Sequence, residues 1–465
     1  MQTAPVQPVD TPAAASAQQL TVIGGGITGL ATAYLAAKAG AKVRVLEGSP
    51  TFGGLLNTFE IGGNRLEFYY HHFFTHDAEI NWLIRDLGIE DKLRFYDTTM
   101  GFFRNGKTYD FNGPVDLLKF KPMNLIDKFR WGLSSLYLGK MAKWESFEDV
   151  SCLEWFYKYA GKGGTNAIWK PMLDIKFGPY ADQVPLAWMV GRLRQRLGSR
   201  KDGDEKLGYV DGSLNTLLEA LMGRLQEMGV ELLKETPVES IQVENGELTG
   251  IRTPKGDFNG GKFIFTIPTI YMPKILQNGA PQLAEQLSNI EYFGAVCTIL
   301  ETDRKLSDIY WLNVADEGFP FGGVIEHTNF IPPERYGGKH ITYLSRYFAM
   351  SEDLANMSKE EIEELMIPPL ARIYPGFDRS WVKKVHIFRT NTAATVCDLN
   401  FSRKVPQCDT DIKNLYLANM AHIYPDERST NNSIRVAAEA CRVMGYQADM
   451  VPYNASLSGK IGFEQ

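Results

Sequence analysis

The stretch Leu20–Ser49, LTVIGGGITGLATAYLAAKAGAKVRVLEGS, constrains the fold more than any other part of the chain. From Leu20 to Ala37 it carries no charge, so hydropathy alone would allow a membrane span. Three consecutive glycines, Gly24-Gly25-Gly26, directly after the β-branched run Thr21-Val22-Ile23, instead predict a buried strand ending in a tight turn. Gly24, Gly26 and Gly29 have G-x-G-x-x-G spacing, a helix of small residues is predicted through Ala39, and Gly40 stops it. A second strand, Lys42–Leu46, then ends in Glu47, about twenty residues past the turn.

These parts fit one ligand type. Gly24 permits the sharp turn, Gly26 lets the backbone approach a pyrophosphate, and Gly29 lets the helix lie close on the strand. The helix N-terminus supplies unpaired N–H groups and a partial positive charge, and Glu47 is placed to accept from ribose hydroxyls. An acid at position 47 disfavours a 2′-phosphate there, which leaves FAD or NAD.

At 465 residues the chain is too long for one compact core, and two or three domains are expected. A net charge of −6 gives no reason to expect a nucleic-acid partner. Cys152, Cys297, Cys397, Cys408 and Cys441 are scattered without metal-ligand spacing, so no metal site is expected, and reduced thiols point to the cytoplasm. The first residues, rich in Ala, Gln and Pro, read as a disordered leader over 1–19 with no signal-peptide pattern.

Beyond Glu47, Gly53-Gly54 is a second close-approach element, followed by short strands around Gly62-Gly63 and an amphipathic helix ended by Gly88. With this block in place the chain resembles the FAD-dependent amine oxidase superfamily, which includes protoporphyrinogen oxidases, phytoene-type desaturases and monoamine oxidases. Three further segments extend the resemblance. The segment from Lys206, with Gly208 and Gly212 before a helix and a strand near Pro237-Val238, resembles the adenine-side block. Lys262–Pro268, KFIFTIP, resembles the strand leading out of the FAD domain. The segment from Asn414 resembles the final strand–turn–helix, with Ala418-Asn419 where the family usually has Gly followed by an acid.

The resemblance implies FAD as cofactor, held by Gly24, Gly26, Gly29, Glu47, Gly53, Gly54, Val238, Asn419, Asn432 and Ser433. It implies that the last helix, capped by Ser429-Thr430-Asn431-Asn432, aims its N-terminus at the flavin's pyrimidine edge. The expected fold is α/β, a Rossmann-like FAD-binding domain with interleaved α-helical and β-rich substrate-domain insertions. Its FAD segments are 20–115, 207–270 and 406–452. The helical insert is 116–206, the β-rich insert 271–405, and a loose tail runs over 453–465.

Candidates for chemistry are fewer. YYHHFFTHD holds His71, His72 and His76 directly after the strand expected beside the flavin, and the catalytic candidates are His71, His72 and Arg428, the last lying before the final helix. Arg192, Arg196 and Arg200 fall at i, i+4 and i+8, either as a solvated helix face or as a clamp for an anionic substrate. Lys170 and Lys176 are alternative lysines for the flavin edge. The expected activity is removal of hydride equivalents from a C–C or C–N bond of a large, partly apolar small molecule, anionic or lipid-like. The alternative is a non-redox flavoenzyme, because HHFFTHDAEINWLIRDLG also resembles a segment of UDP-galactopyranose mutases. Residues 123–141 combine the stripe Leu125, Ile126, Phe129, Leu133, Leu136 and Tyr137 with Lys119, Lys121, Lys128, Arg130 and Lys140. That stripe either packs into its own domain or lies in a membrane interface, with Phe129 and Trp131 as its apolar contacts and the inner membrane face as its place.

Overall fold

In the computed structural model, which describes residues 19–198, 200–201, 204–447 and 461–463, the glycine stretch forms strand β1 (Gln19–Ile23), helix α1 (Ile27–Lys38) and strand β2 (Lys42–Leu46). β1 is buried on both faces, which suits its β-branched run. It lies between β2 and a later strand, both parallel to it. Three further parallel strands, β3 (Glu231–Leu233), β4 (Lys262–Phe265) and β5 (Leu415–Leu417), complete a sheet of order β3-β2-β1-β4-β5. One sheet therefore gathers strands from the start, middle and end of the chain, which is the interleaved α/β architecture.

Residues 100–110, grouped with the first FAD segment on sequence grounds, supply two strands of a different sheet. That seven-stranded sheet runs in the order 382–395, 292–302, 340–349, 323–326, 311–314, 100–104 and 107–110. Its pairings are antiparallel except that of Trp311–Val314 with Met100–Arg104.

The helical region contributes α2 (Leu125–Lys140), α3 (Lys170–Phe177) and α4 (Leu186–Gly198). Asn124 starts α2 by accepting from the Asp127 N–H at 2.9 Å. Trp131 faces inward from α2 and stacks on Trp169 at 5.4 Å, so it is not a membrane contact. α4 ends at Gly198, so Arg200 lies on a short strand and does not continue the arginine face. The last helix, α5 (Thr430–Val443), packs on α1, where the Cys441 thiol donates to the Thr32 carbonyl at 3.6 Å.

The expected leader falls almost wholly outside the described residues, and Gln19 already belongs to β1. Of the expected tail, Ile461–Phe463 is packed rather than loose: the Gly462 carbonyl accepts from the Cys408 N–H at 2.6 Å, and Phe463 lies against His422. The remainder of the tail lies outside the described residues.

Candidate active site

Ligands of parallel sheets bind beyond the carboxyl ends of the strands. All five strands here deliver residues to one cavity at that edge: Gly24 after β1, Glu47 after β2, Thr236 to Val238 after β3, Thr266 to Pro268 after β4, and Asn419 after β5. The cavity measures about 800 Å³, within the range of cofactor and substrate pockets.

The glycine cradle has the shape a pyrophosphate needs. Gly24 has φ +112° and Gly53 φ +120°, conformations that L side chains rarely adopt. A Cβ on Gly26 would meet no protein atom within 4 Å, whereas one on Gly29 would sit 1.9 Å from the Gly24 carbonyl oxygen. Gly26 thus borders open space while Gly29 is a packing residue that does not line the cavity. No side chain caps the N-terminus of α1, leaving its first N–H groups for an anion. Glu47 accepts from the Gly25 and Ser49 N–H groups, both at 2.7 Å, and its carboxylate retains lone pairs for a ribose.

The remaining cofactor candidates divide. Gly54 and Val238 line the cavity, but Val238 sits in the connection after β3 rather than on a strand. Gly208, expected in a turn, lies within the strand Asp204–Val210, and Gly212 alone precedes the helix. Asn419 lines the cavity while its amide holds the loop: Oδ1 accepts from the Ala421 N–H at 3.0 Å and Nδ2 donates to the Ile267 carbonyl at 3.1 Å. Ser433 also lines it, its hydroxyl donating to the Ser429 carbonyl at 2.9 Å. Asn432 does not reach this cavity. Its N–H donates to Ser429 Oγ at 3.0 Å, its amide donates to the Glu427 carbonyl at 2.7 Å, and it borders a small separate void with His76 and Arg435.

On the opposite side, α3 and α4 each present an i, i+3, i+4 face to the cavity, Met172, Ile175 and Lys176 from one and Arg192, Gln195 and Arg196 from the other. His71 and His72 line it, whereas His76 borders the small void. The Tyr69 carbonyl lies 2.6 Å from His71 Nδ1, so Nδ1 carries the proton and Nε2 is left as the acceptor. Burial drives the His71 pKa down to about 4, Arg428 adds to the fall, and the Tyr69 bond opposes it. His72 meets Trp311 edge-on at 5.8 Å and its Nδ1 lies 3.4 Å from the Tyr310 hydroxyl.

Glu427 accepts from both Lys176 and Arg192. Burial lowers the Lys176 pKa, with Glu427 opposing, to about 8. The ammonium lies 4.5 Å from the Trp188 ring centroid. Lys170 pairs with Asp174 on an exposed face and takes no part. Arg428 lies over Tyr347 at 5.0 Å from the ring centroid. Trp311, Arg346 and Tyr347 also line the cavity and escaped the sequence reading, since short strand segments give no signal of which residues will face a pocket.

Such an arrangement defines a dinucleotide-binding protein with a substrate cavity built directly against its cofactor cradle. A family model described as flavin containing amine oxidoreductase matches residues 27–426, and the chain belongs to that family. It is an FAD-dependent oxidoreductase. The chain is 22% identical over 444 residues to the 15-cis-phytoene desaturase of an Oncidium hybrid cultivar, covering 86% of this chain and 73% of that one. It is 26% identical over 272 residues to the 1-hydroxycarotenoid 3,4-desaturase of Flavobacterium sp. strain P99-3, covering 50% and 53%. Among solved structures it resembles a protein assigned as a protoporphyrinogen oxidase from Exiguobacterium sp. 255-15, with TM-score 0.74, 19% identity and coverage of 93% and 100%. A reduced UDP-galactopyranose mutase gives TM-score 0.72, 13% identity and coverage of 93% and 95%. At these identities the structural likeness is one of fold.

Proposed function

We propose that this protein removes hydride equivalents from a C–C or C–N bond of a large, partly apolar small molecule, anionic or lipid-like. The observation that carries the reading is the single cavity running from the glycine cradle to a wall of aromatic and apolar side chains that includes His71, Trp311 and Tyr347. When bound, FAD supplies the hydride acceptor. His71 Nε2 takes the proton that leaves the atom next to the hydride donor, and the Tyr69 carbonyl holds the ring in that tautomer. Burial keeps His71 neutral, with charge repulsion from Arg428 adding to it, and the edge-on aromatic contacts of His72 fix the neighbouring wall. The cradle residues Gly24, Gly26, Glu47, Gly53, Gly54, Val238, Asn419 and Ser433 hold the cofactor. Anaerobic incubation of the yellow protein with a membrane lipid extract, read as loss of flavin absorbance, tests the activity.

The helical layer adds a location. The stripe on α2 is turned to solvent: Leu125, Ile126 and Phe129 are 72%, 73% and 69% exposed. Val115, Leu118 and Met141 extend it, and Lys119, Lys121, Lys140 and Lys143 are exposed around it. Among the described residues no helix is long and apolar enough to cross a membrane. An apolar helix face rimmed by lysines suits the headgroup boundary of an anionic bilayer, where it lies in the interface plane. We place the protein on the cytoplasmic face of the membrane, a setting that agrees with its five buried, free cysteines.

A further inference from the structure

Beyond the glycine cradle, the cavity carries more positive charge than nearby carboxylates balance. Its lining includes the cations Lys176, Arg192, Arg346 and Arg428. Two carboxylates answer them: Glu427 is shared by Lys176 and Arg192, and Glu352 pairs with Arg346. Arg428 has neither. Among the described residues its one cationic contact is the face of Tyr347, and its Nε is buried without a hydrogen-bond partner. Arg346, next to Tyr347 in the same strand, also leaves its Nε buried and unpartnered.

Arg428 is half-buried against the cavity with no carboxylate beside it, Arg does not lose its proton, and the terminal nitrogens of its fork are left for a ligand in the cavity. The pyrophosphate of FAD is not that ligand. Its place is the Gly24–Gly29 turn and the α1 N-terminus, whereas Arg428 lies on Tyr347 and feels Tyr70 and Cys297, residues of the substrate-side wall. A pure hydrocarbon offers nothing to pair with these groups.

We propose that Arg428, Arg346 and the Lys176–Arg192 pair form a second anion subsite, separate from the pyrophosphate cradle, that takes the carboxylate or phosphate of an amphipathic substrate. This rests on the reading of the cavity as an FAD-dependent substrate site, and it narrows the substrate to a molecule with one anionic end and an apolar body. The Arg428 fork suits a planar or tetrahedral oxyanion, while Met172, Ile175 and Trp311 offer apolar surface to the rest.

Calorimetric titration of the FAD-loaded protein with farnesyl phosphate, farnesoic acid and farnesol tests this, since the three share an apolar body and differ at one end. Both anions should bind at least tenfold more tightly than the alcohol. Arg428→Gln should remove that advantage while leaving farnesol affinity and FAD content unchanged, and Arg346→Gln serves as an independent second variant if the first fails to fold. Inorganic phosphate that displaces farnesyl phosphate at similar concentration assigns the subsite to free phosphate, and failure to displace it assigns a lipid headgroup; either result keeps the anion subsite. Equal affinity for the three ligands, no binding of either anion, or an advantage that survives both substitutions overturns it. A protein that never takes up FAD defeats the parent reading instead, and the same titration still reports on the subsite.

Discussion

Gly26 and Gly53 meet in a parallel backbone bridge, and the Gly53 N–H donates to the Gly25 carbonyl at 2.8 Å. The second glycine pair is thereby fastened onto the first, and the two turns form one cradle at the end of β1. Gly26→Val should therefore fold, since its φ of −75° suits any residue and its Cβ meets no protein atom, yet purify without flavin. Gly29→Val should behave differently, because its Cβ would collide with the Gly24 carbonyl oxygen at 1.9 Å. A loss of stability of at least about 1–3 kcal/mol is expected there. Thermal melts paired with flavin content separate the two outcomes.

Glu47 anchors the cradle at both carboxylate oxygens. Glu47→Ala should weaken FAD binding by roughly 1.5–3 kcal/mol, the scale of a charged hydrogen bond. Glu47→Gln should recover little, because one amide end would then face a backbone donor with a donor of its own. Titration of apoprotein with FAD measures both; wild-type affinity in the alanine variant would remove Glu47 from the cofactor site.

The pKa of His71 is depressed from 6.5 to about 4, so the ring is neutral and able to accept a proton at every pH above that value. Activity dependent on this base should hold across neutral pH and fall as pH drops through about 4, an acid limb seen in kcat/KM. His71→Gln should lower the rate about 10²- to 10⁴-fold and remove the limb. A limb near the ordinary histidine value would place the base elsewhere.

Flotation with anionic liposomes at low salt should carry the wild-type protein upward, and raised salt should weaken the effect. Ile126→Ser with Phe129→Ser should abolish flotation while leaving the flavin spectrum intact, because both side chains point into solvent. Trp131→Ser should instead damage the fold, since that ring is stacked inside. Wild type that stays in the soluble fraction would refute the membrane contact.

The cradle was readable in the sequence because its signals are local: glycines at fixed offsets, a β-branched strand before them, and an acid at the end of the next strand. The stripe on α2 was readable as a periodicity, but periodicity does not say whether an apolar face meets the core or the solvent, and here it meets solvent. Val238 was expected on a strand and lies in a connection, because Glu47 closes that edge by exchanging backbone bonds with Leu233 and Thr236. Trp311 was illegible for a different reason. Its position follows from parallel pairing of 311–314 with 100–104, a contact between distant segments that no local pattern announces. Arg428 comes to lie over Tyr347, the neighbour of Arg346 in its strand, from a distant part of the chain, so the presence of both arginines in one cavity is a property of the fold alone.

Net oxidation of the substrate separates the proposed chemistry most directly from its non-redox alternative. The measurement is a single anaerobic turnover in which flavin absorbance and product mass are followed together, using the amphiphile that bleaches the protein in a lipid-extract screen. The expected result is loss of flavin absorbance matched, one to one, by a product lighter by two hydrogens. A product of unchanged mass, formed with reduced flavin and no net bleaching, would contradict it and support the non-redox chemistry of a mutase.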